Sequence, residues 1–190
     1  MERVMFHIDV NSAFLSWEAA YRLYHLGAKK DLREMVSAVG GDIAMRHGII
    51  LAKSIPAKKY KIQTGESIME ARQKCPHLVL VPPNYNLYEQ CSKAFVKILQ
   101  EYTPSVEQYS IDECYMDMTG TRQLWGNPVD AALTIKNRIR DELGFTVNVG
   151  ISENKLLAKM ASDFQKPDKV HTLWHEEIPQ KMWPLPVADK

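Results

Sequence analysis

Three acidic residues stand where they could hold hard divalent cations. Asp9 closes a short apolar run, while Asp112 and Glu113 lie side by side between two further apolar runs. Carboxylate oxygens are the donors that magnesium prefers. Two such ions, about 3.5–4 Å apart, clamp the attacking and leaving oxygens of an in-line phosphoryl displacement. Phosphoryl transfer is therefore within reach of this trio, provided the fold brings Asp9 beside the pair. A plainer reading is also available: an Asp before Asn11-Ser12 suits helix capping, and Asp-Glu in a tight connection suits a polar turn. Residue types alone leave both open. On an extended strand Asp112 and Glu113 would point to opposite faces, so a shared role requires the turn to re-aim one of them.

The elements that must position them can be read from periodicity. Val4 to Ile8 is a buried strand ending at Asp9. Asn11 and Ser12 offer N-cap chemistry to a helix carrying Phe14, Trp17, Ala20, Tyr21 and Tyr24, closed by Gly27. Strands are expected at Val36 to Val39, Gly48 to Ala52 and Leu78 to Val81, with a short helix from Ser67 to Lys74. A longer helix runs from Tyr85 to Tyr102, with Leu87, Cys91, Phe95, Ile98 and Leu99 along one stripe. Val106 to Ser110 and Cys114 to Met118 form a hairpin. Pro128 opens a helix that Gly144 ends, Thr146 to Ile151 is a strand, and Ser152 caps a helix through Asp163. After Pro167 come a short strand, one small helix and a proline-broken tail. With residues 14–82 set aside, the order is β, α, β, β, α, β, the split βαβ or ferredoxin-like arrangement of an α+β fold. That topology makes the strand ending at Asp9 a neighbour of the hairpin carrying Asp112 and Glu113.

Composition narrows the class without naming a function. The chain has 190 residues, 45% hydrophobic and 25% charged, with net charge +1, as in an ordinary folded domain. No apolar run approaches the roughly 20 residues of a membrane span, and Glu2, His7 and Asp9 interrupt the N-terminal stretch that a signal peptide would need. A cytoplasmic protein is expected. Cys75, Cys91 and Cys114 are widely spaced and read as reduced thiols. His171 and His175 sit four apart without a third ligand nearby.

Longer strings carry a resemblance. Ser110-Ile111-Asp112-Glu113-Cys114-Tyr115-Met116-Asp117 resembles the S-[IL]-D-E-x-Y-[LM]-D signature of Y-family translesion DNA polymerases. His7-Ile8-Asp9-Val10-Asn11-Ser12-Ala13-Phe14 is similar to their N-terminal motif, and Val149 to Lys155 with Leu157 to Ser162 resembles their V-G-I-[SA]-x-N-K-x-x-A-K-x-A-[AS] stretch. These motifs lie in the family's order and span essentially the whole chain.

The resemblance implies a ferredoxin-like catalytic palm at residues 1–13 and 83–165, a small α/β fingers insert at 14–82, and the start of a helical thumb at 166–190. It implies two magnesium ions, with manganese able to substitute, held by Asp9, Asp112, Glu113 and the Val10 carbonyl. The nucleotide would meet Asn11, Ser12, Ala13, Phe14, Ala52, Ile55, Lys58 and Lys159, with Phe14 as a steric gate against ribose. Ile55 stands where a tyrosine is frequent and Lys58 where an arginine is frequent, so a point charge replaces a bidentate fork there. The implied partners are primer-template DNA and a deoxynucleoside triphosphate, with a sliding clamp engaged through a segment outside this chain. A monomer is expected, nucleoid-associated if bacterial. The near-neutral charge suits a piece whose DNA grip lies mainly in thumb and little-finger modules beyond it, so weak, salt-sensitive DNA binding is expected.

Two other readings compete. Gly40-Gly41-Asp42 is superficially similar to the turn of diguanylate cyclases, but Ile43-Ala44 replaces the acidic-aromatic pair and the turn precedes the palm hairpin. A palm-fold scaffold without chemistry is opposed by the intact acidic trio and Phe14.

Overall fold

The computed structural model describes residues 3–41 and 48–186. Within it the strands are β1 (Met5–Val10), β2 (Ser37–Gly40), β3 (Ile50–Lys53), β4 (Val79–Val81), β5 (Val106–Gln108), β6 (Glu113–Asp117), β7 (Val147–Ser152) and β8 (Val170–Thr172). The α-helices are α1 (Ala13–His25), α2 (Ile55–Lys58), α3 (Ile68–Lys74), α4 (Tyr85–Gln100), α5 (Arg122–Trp125), α6 (Pro128–Leu143), α7 (Lys155–Asp163) and α8 (Ile178–Lys181). The chain divides into two compact units, residues 1–11 with 92–190 and residues 12–91; the second division falls inside α4.

The first unit is built on one five-stranded sheet in the order β5-β6-β1-β7-β8. Its first four strands follow the ferredoxin-like order, with β1 antiparallel to both β6 and β7 and β8 added in parallel to β7. Every residue of β1 is buried, as expected of a central strand covered on both faces. Alternation sends Met5, His7 and Asp9 to the face covered by α7, where Met5, Tyr115 and Ala158 pack together. Helix α7 lies directly on β7 and β1, and α6 packs on β7 and β8. The backbone of α7 comes so near that a Cβ on Gly150 would stand 1.9 Å from the Ala158 carbonyl oxygen and 2.4 Å from the Ser162 nitrogen.

Helix boundaries follow local chemistry. Asn127 caps α6 by accepting from the Asp130 N–H, Pro128 occupies its first turn, and Gly144 ends it in the left-handed region. Helix α7 is capped by Asn154, whose side chain accepts from the Leu157 N–H. Ser152, expected in that role, is instead the last residue of β7, and its hydroxyl donates to the Leu173 carbonyl at 2.5 Å.

The second unit holds the three-stranded sheet β3-β2-β4, with β2 antiparallel to β3 and parallel to β4. Its core gathers Ala38, Ile50, Ala57, Ile62, Ile68, Ala71, Cys75 and Leu78. Ser67 and Glu70 close a reciprocal capping box at the start of α3. Ser12 stands at the N-cap of α1 but in the left-handed region at φ 45°, and its side chain makes no capping bond. It bends the chain there without supplying the cap its residue type suggested. The Gly40-Gly41-Asp42 turn and Ile43-Ala44 run into residues 42–47, which lie outside the described residues, as do the chain's last four.

Candidate active site

In the first unit, the pairing of β1 with β6 and the turn before β6 bring the acidic trio to one end of the sheet. Asp9 is the register partner of Glu113 across β1 and β6. Asp112 precedes β6 in the connecting turn, and its carbonyl accepts from the Val10 N–H at 3.0 Å. Ser110 donates its hydroxyl to Asp112 Oδ1 at 2.7 Å, while the Tyr109 and Ser110 N–H groups both donate to the Glu113 carbonyl. The expected first strand of the hairpin stops at Gln108, leaving Tyr109 to Asp112 to form the connection. Asp112 is thus released from strict strand alternation.

Two lysines meet these carboxylates. Lys159 on α7 reaches Glu113 Oε1 at 2.7 Å, and Lys166, after α7, forms an ion pair with Asp9 and a second with Asp163 at 2.8 Å. Burial pushes the Asp9 carboxyl above its ordinary value; Lys166 opposes that shift and the charges of Glu113 and Asp112 add to it. Burial works against the charge on Lys159, but the hydrogen bond and charge of Glu113 raise it above the usual lysine range. Lys166 is raised likewise against its burial, by Asp163 and Asp9.

Behind the carboxylates lies His7, fully buried. Its Nδ1 is 2.8 Å from Ser162 Oγ. That hydroxyl gives its proton to the Lys159 carbonyl at 2.7 Å, so it can only accept from the ring, and Nδ1 carries the hydrogen. Burial, reinforced by Lys159, lowers the imidazole to about 4. His7 is therefore neutral at neutral pH, with a bare Nε2 that makes no hydrogen bond and stands 3.9 Å from Glu113 Oε2.

A hard cation fits this donor set. The charges of Glu113 and Asp112 reach Asp9 at one end of the sheet, and two ammonium groups already sit on Asp9 and Glu113. Among the described residues no three His, Cys, Asp or Glu side chains stand in a ready ligating cluster; with Asp9 and Glu113 turned to their lysines, the carboxylates would have to leave those partners to share an ion.

The other expected site residues are distributed as follows. Asn11 is buried, with its N–H donating to the Thr146 carbonyl and its amide engaged by Asn148, Thr146 and Asp168. Val10 is buried at the end of β1. In the second unit Ala13 is buried and Ser12 exposed. Phe14 stacks on Tyr88 with ring centroids 4.6 Å apart and planes at 13°. The Tyr88 hydroxyl donates to buried Glu18 at 3.2 Å, and Arg22 pairs with the same carboxylate at 3.3 Å. Ala52 is buried on β3, and Ile55 is exposed at the start of α2. Lys58 ends α2, close enough to Lys53 that, after burial, its charge further lowers the Lys53 ammonium. Sequence reasoning did not single out Lys166, Lys53 or Tyr88. Only Tyr88, one turn before Ser92 and two before Phe95 on an amphipathic helix, left a periodic signal.

Comparison with known proteins places these residues in a wider set. A family model described as the impB/mucB/samB family matches residues 8–163. The chain is 54% identical over its full length to a DNA polymerase IV of Clostridium acetobutylicum, covering 47% of that protein. It is 44% identical over 98% of its length to the DNA polymerase IV of Acetivibrio thermocellus, covering 45% of it. It spans about half the length of the curated relatives it matches. Among solved structures, DinB from Sulfolobus solfataricus superposes with a TM-score of 0.85 at 24% identity, over 98% of this chain and 52% of that one. An insertion ternary complex of Dbh DNA polymerase gives 0.82 at 25% identity, over 98% and 53%.

Proposed function

This chain belongs to the impB/mucB/samB family, a Y-family group, and on that premise we propose that it carries the catalytic core of a template-directed, low-fidelity DNA polymerase that adds a deoxynucleoside monophosphate to a primer 3′-end. The observation that carries this reading is the pairing of Asp9 with Glu113 beside the Asp112 turn. Residues 1–13 and 83–165 act as palm, 14–82 as fingers and 166–190 as the start of a thumb. Asp9 and Asp112 would hold two magnesium ions, manganese substituting, with Glu113 and the Val10 carbonyl completing the donor set. When bound, the ions acidify the primer hydroxyl and neutralise charge on the transferring phosphate.

The chain's own residues do the rest. With Asp9 and Glu113 turned to metal, Lys159 would be released from Glu113 and Lys166 from Asp9, Lys166 keeping Asp163, and both ammonium groups would serve as counter-charges for the triphosphate. Lys58, with Lys53, offers further positive charge, as point charges. Asn11 contributes by holding the end of β1, since its N–H and amide are already engaged, while Ser12 and Ala13 carry the chain to Phe14. Phe14 excludes a 2′-hydroxyl, and Ala52 and Ile55 line the nucleotide side of the fingers. Primer-template DNA and a deoxynucleoside triphosphate are the substrates, lesion bypass the cellular task, the cytoplasm its place, and a monomer its state, with any sliding clamp engaged outside this chain.

The test is manganese binding to this chain with and without a deoxynucleoside triphosphate, comparing wild type with Asp112→Ala. Binding that tightens with nucleotide and falls at least about tenfold in the variant is expected. Equal binding in both proteins would remove the carboxylates from the proposed role.

A further inference from the structure

A polar network outside the acidic trio joins β1 and β7 to the segment that follows α7. Asn148, fully buried on β7, uses its amide completely. Its Nδ2 donates to the carbonyls of Ser162 at 2.9 Å and Gln165 at 2.7 Å. Its Oδ1 accepts from Asn11 Nδ2 and from the Lys169 N–H, both at 3.2 Å. Asn11 accepts in turn from the Asp168 N–H and from Thr146 Oγ1, both at 3.0 Å. The partners fix the orientation of both amides, because exchanging oxygen and nitrogen in either would set donor against donor.

The two amides therefore fasten the backbone at 162, 165, 168 and 169 to the two central strands. Inside that fastened stretch lies Lys166, whose ammonium sits on Asp9. We infer that Asn148, acting with Asn11, is a positioning residue for this loop: it holds Lys166 over Asp9 and so sets how strongly that lysine competes with a divalent cation for the carboxylate. The inference rests on the reading of Asp9 as a metal ligand. An aspartate at 148 would lack the two donors, an apolar residue would lack all four bonds, and either would strand buried carbonyls. Asn148 is the register partner of Asp9 across β1 and β7, but it is uncharged and its amide is spent on Asn11 and the loop. The effect on Lys166 therefore passes through the loop, and the double variants separate it from any direct effect of this neighbour on Asp9.

The experiment is a manganese titration of this chain without nucleotide, followed by the resonance of the free ion. It compares wild type, Lys166→Ala, Asn148→Ala, Asn148→Ser and each double variant with Lys166→Ala. Both Asn148 substitutions are neutral, so a gain in affinity cannot come from added negative charge. Lys166→Ala should bind manganese roughly threefold to tenfold tighter, the range that loss of one competing, partly buried ion pair covers. Asn148→Ala should approach the same gain, and Asn148→Ser, which keeps one donor, should fall between. The double variants should bind no tighter than Lys166→Ala alone, because the two residues act on one quantity. A residue of purely structural importance would lower the melting temperature without tightening metal binding. Should Asn148→Ala fail to fold, Asn148→Ser carries the comparison. Unchanged affinity in a folded Asn148 variant, or additive gains in the doubles, overturns the inference while a gain in Lys166→Ala leaves the metal-site reading standing. No gain in Lys166→Ala overturns it at its root. No manganese binding by folded wild type takes the metal-site reading down with it.

Discussion

His7 sits between Ser162 and Glu113 with one hydrogen already assigned and the other nitrogen bare, and that arrangement makes it a liability in acid. Its folded value of about 4 lies below the ordinary imidazole value of 6.5. Between those values the unfolded chain takes up a proton that the folded chain refuses, so stability falls as pH drops from 6.5 towards 4. The full cost is about 3 kcal/mol. Asp9, whose carboxyl is held high by burial, works in the opposite direction, so the comparison must be between proteins. His7→Asn should lose less stability than wild type between pH 7 and pH 4.5 in urea unfolding; parallel losses would exonerate His7. At the same scale, on the proposed polymerase reading, Phe14→Ala should raise ribonucleotide incorporation at least about tenfold relative to deoxynucleotide in single-nucleotide primer-extension kinetics. Unchanged sugar selectivity would take Phe14 out of the gate. What was legible at this scale was the trio, because a strand end and a hairpin connection are local features. Lys166 was not legible: its partner Asp9 lies 157 residues away in sequence, and no period or spacing reports such a meeting. Asn148 was hidden for a related reason, since a polar residue inside Val147 to Ile151 reads as an interruption until its four partners are seen.

Among elements, the packing of α7 on β7 is the tightest constraint. Gly150 is required there by approach alone, since its φ lies outside the left-handed region while the helix backbone occupies the space of a Cβ. Gly150→Ala must push α7 outward, carrying Lys159 and Ser162 with it. A loss of at least about 3 kcal/mol in chemical denaturation is expected, at or beyond the usual upper range for overpacking. A variant within 1 kcal/mol of wild type would mean that the helix can shift cheaply. Long elements with proper ends were readable: Pro128 and Gly144 bracket α6 as expected, and Ser67 caps α3. The four-residue helices α2 and α5 were not anticipated, because one turn contains no repeat to detect. The mistaken cap at Ser152 came from residue type. Ser152 and Asn154 both favour such positions, and only the length of β7 decides between them.

For the molecule as a whole, the order of strands was the most legible feature, since five paired elements with one large insert leave few ways to connect a split βαβ sheet. The division inside α4 was not, because a continuous amphipathic stripe gives no hint that its two halves serve different cores. The two lysines on the carboxylates have a consequence for handling as well as for chemistry. Small metalloproteins whose cores are closed by their ion collapse when it is stripped away. Here the buried carboxylate of Asp9 and the half-buried one of Glu113 each already have a lysine counter-ion, so this end of the sheet does not depend on metal to balance their charge. Dialysis against EDTA should leave the thermal unfolding of this chain cooperative and its midpoint within about 2 °C, the shift expected from losing only weak ligand binding. Loss of the cooperative transition on chelation would mean that metal, rather than lysine, keeps this end of the sheet in place.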